Sequence, residues 1–220
     1  MPARGDIDLM NDYRAGVLID LDGTLVDSVY HHVLAWDDVF RAHGFEVPLY
    51  RVHAAIGMGG DRLIPWVLGT PHAEIAAMTS EQEQRFLARS QTLRTTAGAV
   101  ELLDDLQERG VPHLLVTSAT TTILDRLLAA LGRTDVAIIH GGDVDSTKPS
   151  PDPVLAACAK LDVQPGRATL VGDSPWDAES AAKVGVRTLG VRTGGFSDAA
   201  LLRAGASDVV DDPRALVGRL

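Results

Sequence analysis

The segment Asp20-Leu21-Asp22-Gly23-Thr24 follows an apolar run, Ala15 to Ile19, and sets two carboxylates one residue apart where a short buried strand ends. Carboxylates repel each other and lose hydration there, so a strand ending this way presents them to a cation or a substrate. One could attack as a nucleophile while the other exchanges protons. The competing reading is a plain Asp-Gly turn after a strand. The rest of the chain has to decide.

Three further groups fall at the ends of later expected strands. Leu114-Leu115-Val116-Thr117-Ser118-Ala119 delivers the hydroxyls of Thr117 and Ser118 beside a helix start, whose free N–H groups can hold a phosphate oxygen or which the hydroxyls merely cap. Lys148, one of only three lysines against seventeen arginines, sits in the Pro-bounded loop Ser146 to Asp152, either as a surface group or as a placed cation. Leu170-Val171-Gly172-Asp173-Ser174-Pro175-Trp176-Asp177 ends a second strand in Gly-Asp, with another carboxylate four residues on. Oxygen-rich sets gathered from different strands suit a hard cation, Mg²⁺ above all.

These groups require a scaffold that brings strand ends together. From Ala97 onward, strand-like runs at Val111 to Val116, Val136 to Ile139, Ala168 to Val171 and Val186 to Val191 alternate with helical patterns. The helices are expected at Val100 to Arg109, Thr122 to Leu131, Pro153 to Leu161 and Asp177 to Val184, with Gly110, Gly132 and Gly185 as C-terminal caps. Such alternation predicts an α/β fold: a Rossmann-like parallel sheet with chemistry at the carboxyl ends of its strands. Residues 28–96 show helical periodicity alone. Val33, Trp36 and Phe40 share one face, Gly44 ends that helix, and Ser80-Glu81-Gln82-Glu83 has capping-box spacing for the start of another. The expected organisation is a catalytic core of residues 1–27 and 97–220, with an all-helical cap domain, 28–96, inserted above the strand ends like a lid.

Size and charge narrow the function classes. A chain of 220 residues with 45% hydrophobic content can bury a full core. A net charge of -10 and a pI near 5.0 argue against nucleic acid or an anionic membrane as partner. An anionic substrate would have to be small and met by local cations. Cys158, the sole cysteine, reads as a small core residue, so a reducing compartment is expected. The N-terminus carries Asp6, Asp8 and Asp12 with no signal-length apolar stretch, which predicts a soluble cytoplasmic protein.

Taken in order, Asp-x-Asp-Gly-Thr, strand-Thr-Ser, Lys-Pro and Gly-Asp-x-x-x-Asp resemble the four motifs of the haloacid dehalogenase superfamily of phosphotransferases, across nearly the whole chain. The helical insertion is similar to the cap shared by its phosphoglycolate phosphatase-like and β-phosphoglucomutase-like members. The resemblance implies that Asp20 attacks phosphorus and becomes an aspartyl-phosphate, while Asp22 protonates the leaving oxygen and then activates water. It implies Mg²⁺ held by the Asp20 and Asp173 carboxylates and the Asp22 carbonyl. Thr117, Ser118 and Lys148 would bind the transferring phosphoryl group, and Asp177 would support Lys148 or a metal-bound water. Asp27 and His32 match positions near the cap hinge.

Departures from relatives narrow the chemistry further. Haloacid dehalogenases lack the second carboxylate that is present here as Asp22. Phosphonatases of this cap type need a cap lysine, and residues 28–96 contain none. Mutase-like members carry an arginine shortly after a glycine that matches Gly57; that position falls on Gly60, and Arg62 substitutes only if the match slips by two. The expectation is therefore a Mg²⁺-dependent phosphatase acting on a small phosphorylated metabolite. Gly59, Gly60 and Arg62, on the glycine-rich loop after Ile56, are expected to face the substrate. A sugar-phosphate mutase and a non-catalytic phosphate-sensing or interaction module remain as alternatives.

Overall fold

The computed structural model describes residues 16–220. Asp6, Asp8, Asp12 and Ala15, with the rest of the expected N-terminal part of the core, lie outside the described residues.

Gly16–Ile19 (β1) is an unbroken apolar run with all four residues buried, the composition of a strand covered on both faces. It pairs in parallel with His113–Val116 (β2) on one side and Ala168–Gly172 (β4) on the other. Ile138–Ile139 (β3), Arg187–Val191 (β5) and Asp208–Val210 (β6) complete a six-stranded parallel sheet ordered β3-β2-β1-β4-β5-β6. The chain leaves β1 in one direction and returns to β4 on its other side. The topological switch point therefore lies between β1 and β4, where side chains of both strand ends face one crevice.

Alternation along β1 feeds two layers. Val17 and Ile19 pack with Leu102, Leu103 and Leu127 from Ala99–Glu108 and Thr121–Leu131, whereas Leu18 packs with Val154, Ala157 and Cys158 from Asp152–Leu161. Cys158 is thus the small core residue its composition suggested. Pro175–Ala182 and Asp198–Ala204 supply the remaining core helices.

Two expected strands are shorter than their apolar runs. Val111 and Pro112 instead close the preceding helix, where Val111 N–H donates to Leu106 O at 2.9 Å, and accept the sheet, where Pro112 O takes Val17 N–H at 2.8 Å. β3 sits at the sheet edge and pairs over two residues only. β6 and the helix before it were not anticipated, because Asp208, Val209 and Val210 are only half-buried and too few to make a pattern.

Between β1 and Ala99 the described chain forms helices and turns: Val29–Ala42 (α1), Leu49–Ala55 (α2), Gly60–Leu68 (α3) and Ile75–Arg89 (α4). Val33, Trp36 and Phe40 line one buried face of α1 and pack with Leu63, Ile64 and Met78 in a cluster apart from the sheet layers. Each such side chain contributes about 1.5–3 kcal/mol when fully buried. The capping-box reading at Ser80 is corrected: α4 begins at Ile75, because Ile75, Met78, Gln82 and Phe86 continue one inward face straight through Ser80. The two connections between this insertion and the sheet run side by side, with Asp27 N–H donating to Arg94 O at 2.8 Å and Thr96 N–H to Leu25 O at 3.0 Å. Asp27 lies at this junction, exposed and away from the strand ends.

Candidate active site

Asp20 follows β1 directly, and its N–H donates to Val171 O at 2.9 Å, so backbone pairing fixes where the carboxylate emerges. Register carries Thr117 and Asp173 to the same level from β2 and β4, since Ile19 lies opposite both Leu115 and Val171. Lys148, although distant in sequence, is 1% exposed and ends 2.5 Å from Asp20 Oδ1 and 2.6 Å from Asp177 Oδ1, donating also to Val116 O at 2.9 Å. All three ammonium donors are thereby committed. Asp177 is held from the other side: its Oδ2 accepts from Ser174 N–H at 3.1 Å and Ser174 Oγ at 2.6 Å, the reciprocal capping box of the helix that begins at Pro175.

Asp22 points differently. Its Oδ1 lies 2.7 Å from Ser28 Oγ and 2.9 Å from His32 Nε2, and its Oδ2 3.3 Å from Thr117 Oγ1. His32 is in turn 3.0 Å from Gln82 Nε2 through its Nδ1 and stacks on Phe86 with centroids 4.2 Å apart. Ser28, Gln82 and Thr24 were not singled out as site residues by the sequence reading. Thr24 was legible only as part of its motif; its buried hydroxyl lies 2.8 Å from Asp173 Oδ1 and 3.2 Å from Asp20 Oδ2 and ties the two carboxylates together. Gln82 is a polar residue on the apolar face of α4, which was the available signal for it.

The electrostatics separate the two motif carboxylates. Burial dominates at Asp20 and, with Asp177 and Asp22 adding repulsion, pushes its pKa up to about 7 against the pull of Lys148. Asp22 is buried too, but His32 and the Ser28 and Thr117 hydroxyls outweigh that effect and hold it below the usual carboxylate range. Burial, followed by repulsion from Asp20 and Asp177, raises Asp173 well above that range. Burial opposes the charge on Lys148, yet Asp177 and Asp20 together keep its pKa above the ordinary lysine value.

Asp20, Asp173 and Asp177 place carboxylate oxygens within 4.8 Å of one another. Three buried carboxylates around a single buried ammonium leave negative charge in excess, and the donors are all hard oxygens, so a divalent cation such as Mg²⁺ fits. Asp177 is occupied by Lys148 and Ser174, leaving Asp20 and Asp173 as the carboxylates with capacity to spare. Gly23, at φ 79°, and Gly194 both bring backbone against Asp173 Oδ2 so closely that a Cβ at either would collide with it. That cradle admits no side chain.

A small cavity of about 60 Å³ opens above Asp20 and Asp22, bounded by Thr117, Ser118 and the Ile56–Gly60 loop. Gly59 and Gly60 border it. Gly57, at φ 104°, packs against Ser174, where a Cβ would lie 2.6 Å from Oγ. Arg62 is not among the residues bordering the cavity; it is exposed, 3.2 Å from Ser146 Oγ and 3.5 Å from Asp61. Ser118 and Thr120 border the cavity, and their hydroxyl oxygens are buried with no hydrogen-bond partner. No described helix is long and apolar enough to cross a membrane.

Residues 15–185 match the model of the haloacid dehalogenase-like hydrolases. The chain belongs to that family. Among similar haloacid dehalogenase-like proteins, the phosphoglycolate phosphatase of Pectobacterium atrosepticum is 32% identical over 90% of this chain and 88% of its own length. The N-acetylmuramic acid 6-phosphate phosphatase of Pseudomonas aeruginosa is 28% identical over 91% and 92%. A solved hydrolase from Pseudomonas syringae superposes with a TM-score of 0.89 at 32% identity, covering 92% of this chain and 95% of that one.

Proposed function

We propose that this family member is a Mg²⁺-dependent phosphatase that hydrolyses a small phosphorylated metabolite through an aspartyl-phosphate. The observation that carries the reading is the division between the two carboxylates: Asp20 is paired with Lys148 inside the acidic cluster, whereas Asp22 is turned out of it toward His32 and Thr117. This division suits a reading in which one attacks phosphorus and the other trades protons with the leaving oxygen.

Asp20 and Asp173 would hold Mg²⁺, with the Asp22 backbone carbonyl, and the ion would offset charge on the transferring phosphoryl oxygens. Lys148 opposes the effect of burial on Asp20 and would offer positive charge to the same oxygens, and Asp177 fixes the ammonium in position. Thr117 Oγ1, which accepts Ala119 N–H at 3.0 Å, orients the turn whose N–H groups and Ser118 receive the phosphate. Asp22, ionised in the free protein, would pass a proton taken up with the bound substrate to the leaving oxygen and then accept one from water, with His32 and Ser28 fixing its rotamer. Residues 28–96 act as a cap that closes the cavity and excludes bulk water, while 16–27 and 97–220 form the core of the described chain. A mutase would need a cation from the cap, and Arg62 is engaged instead with Asp61 and Ser146.

The reading is tested by Mg²⁺-dependent release of inorganic phosphate from p-nitrophenyl phosphate, which chelation should abolish. Equal turnover with and without chelator would overturn it.

A further inference from the structure

The cavity above Asp20 continues outward. Gly59, Gly60, Thr79, Ser118 and Thr120 form a common wall between it and a larger open groove of about 450 Å³. A phosphoryl group placed at Asp20 would therefore send its leaving group along this wall, and the chemistry of the groove selects what that group can be.

Although the chain has seventeen arginines, among the described residues neither an arginine nor a lysine borders the cavity or the groove. The imidazole of His32 borders the inner cavity and is committed to Asp22 and Gln82. The groove instead carries three carboxylates, Asp61, Glu83 and Asp145. Asp61 is engaged by Thr147 Oγ1 at 2.6 Å and by Arg62, while Glu83 and Asp145 have no ion-pair partner among the described residues. The N-terminus of α3, which would attract an anion, already carries Asp61 in its first turn. Ser118 and Thr120, whose hydroxyl oxygens have no hydrogen-bond partner, lie in the wall that the cavity and the groove share.

We propose that the groove receives a hydroxylated leaving group that is neutral or carries an amine, and that it disfavours leaving groups bearing a carboxylate. The proposal rests on the phosphatase reading and names the substrate class for that site. A carboxylate on the leaving group would meet Glu83 and Asp145 with no cation to answer it. A hydroxyl or ammonium meets acceptors on every side.

The test compares kcat/KM for glucosamine 6-phosphate, glucose 6-phosphate, 6-phosphogluconate and 2-phosphoglycolate, with p-nitrophenyl phosphate as a measure of hydrolysis itself. The expected order places both carboxylate esters about tenfold or more below the sugar phosphates, the scale of a like-charge contact at a partly exposed site. In the double variant Glu83→Gln, Asp145→Asn, that gap should narrow severalfold, read as kcat/KM for each ester relative to p-nitrophenyl phosphate in the same variant. Two results overturn the proposal while leaving the phosphatase reading intact: 2-phosphoglycolate turning over as well as the sugar phosphates, or a gap that the double variant does not move. Failure to hydrolyse p-nitrophenyl phosphate would remove the phosphatase reading, and this proposal with it.

Discussion

The Gln82 side-chain nitrogen lies 3.0 Å from His32 Nδ1, so a buried amide on α4 holds the imidazole whose other nitrogen meets Asp22. The proposed cap and the proposed acid/base are thereby joined by two hydrogen bonds. Gln82→Ala should lower kcat about tenfold, the usual scale for a partner that orients a reacting group, with KM for p-nitrophenyl phosphate little changed. Gln82→Asn should not restore it, because the shorter amide cannot reach Nδ1. Steady-state kinetics of both variants, alongside their Tm values, check this; a loss that follows Tm alone would assign Gln82 to packing.

Asp22→Ala should slow turnover by about 10² to 10⁴. Mg²⁺ affinity should stay near the wild-type value, because the side chain faces His32, Ser28 and Thr117 rather than the carboxylate cluster. Isothermal titration separates the two effects, and a collapse of Mg²⁺ binding would contradict the division of labour.

Much of this arrangement was legible in the sequence because it rests on local pattern. The apolar run before Asp20, the strand before Thr117 and the Gly172-Asp173 pair each announce a strand end, and parallel register then brings them together. Lys148 was legible by scarcity and loop position, but its contact with Asp177 depends on the capping box at Ser174, a three-dimensional relationship. The Ser80 capping-box spacing misled because four-residue patterns recur inside helices, and only the continuing inward face from Ile75 to Phe86 shows that no start occurs there. The acidic groove was not legible, since it depends on how α4 and α3 lie over the sheet, and for Gln82 the sequence offers only a polar residue on an apolar helix face.

Lys148→Ala should destabilise the metal-free protein by about 3–5 kcal/mol, the cost of leaving buried carboxylates without their cation. Chemical denaturation in the presence of chelator measures it. A loss below about 1 kcal/mol would contradict the view that the buried carboxylates depend on this cation.

If the folded carboxylate cluster binds Mg²⁺ and the unfolded chain does not, as proposed, Mg²⁺ should raise the Tm of the wild-type protein in proportion to the logarithm of its concentration. Asp173→Asn should abolish that response. A shift retained in Asp173→Asn would place the cation elsewhere.

The mutase alternative makes a different prediction about products. Supplied with β-glucose 1-phosphate and no bisphosphate activator, the wild-type protein should release inorganic phosphate faster than it forms glucose 6-phosphate. Phosphorus NMR follows both, and a ratio favouring the isomer would overturn the hydrolase reading.

Asp20 is proposed as the nucleophile toward phosphorus, and rapid acid quench during turnover followed by peptide mass spectrometry would reveal the residue that carries the phosphoryl group. The peptide containing Asp20 should gain the mass of one phosphoryl group, hydroxylamine should remove it, and Asp20→Asn should show neither the adduct nor more than about 1% of wild-type turnover, a loss of roughly 3 kcal/mol or more in barrier. A phosphoryl group found on another residue, or full turnover by Asp20→Asn, would contradict it.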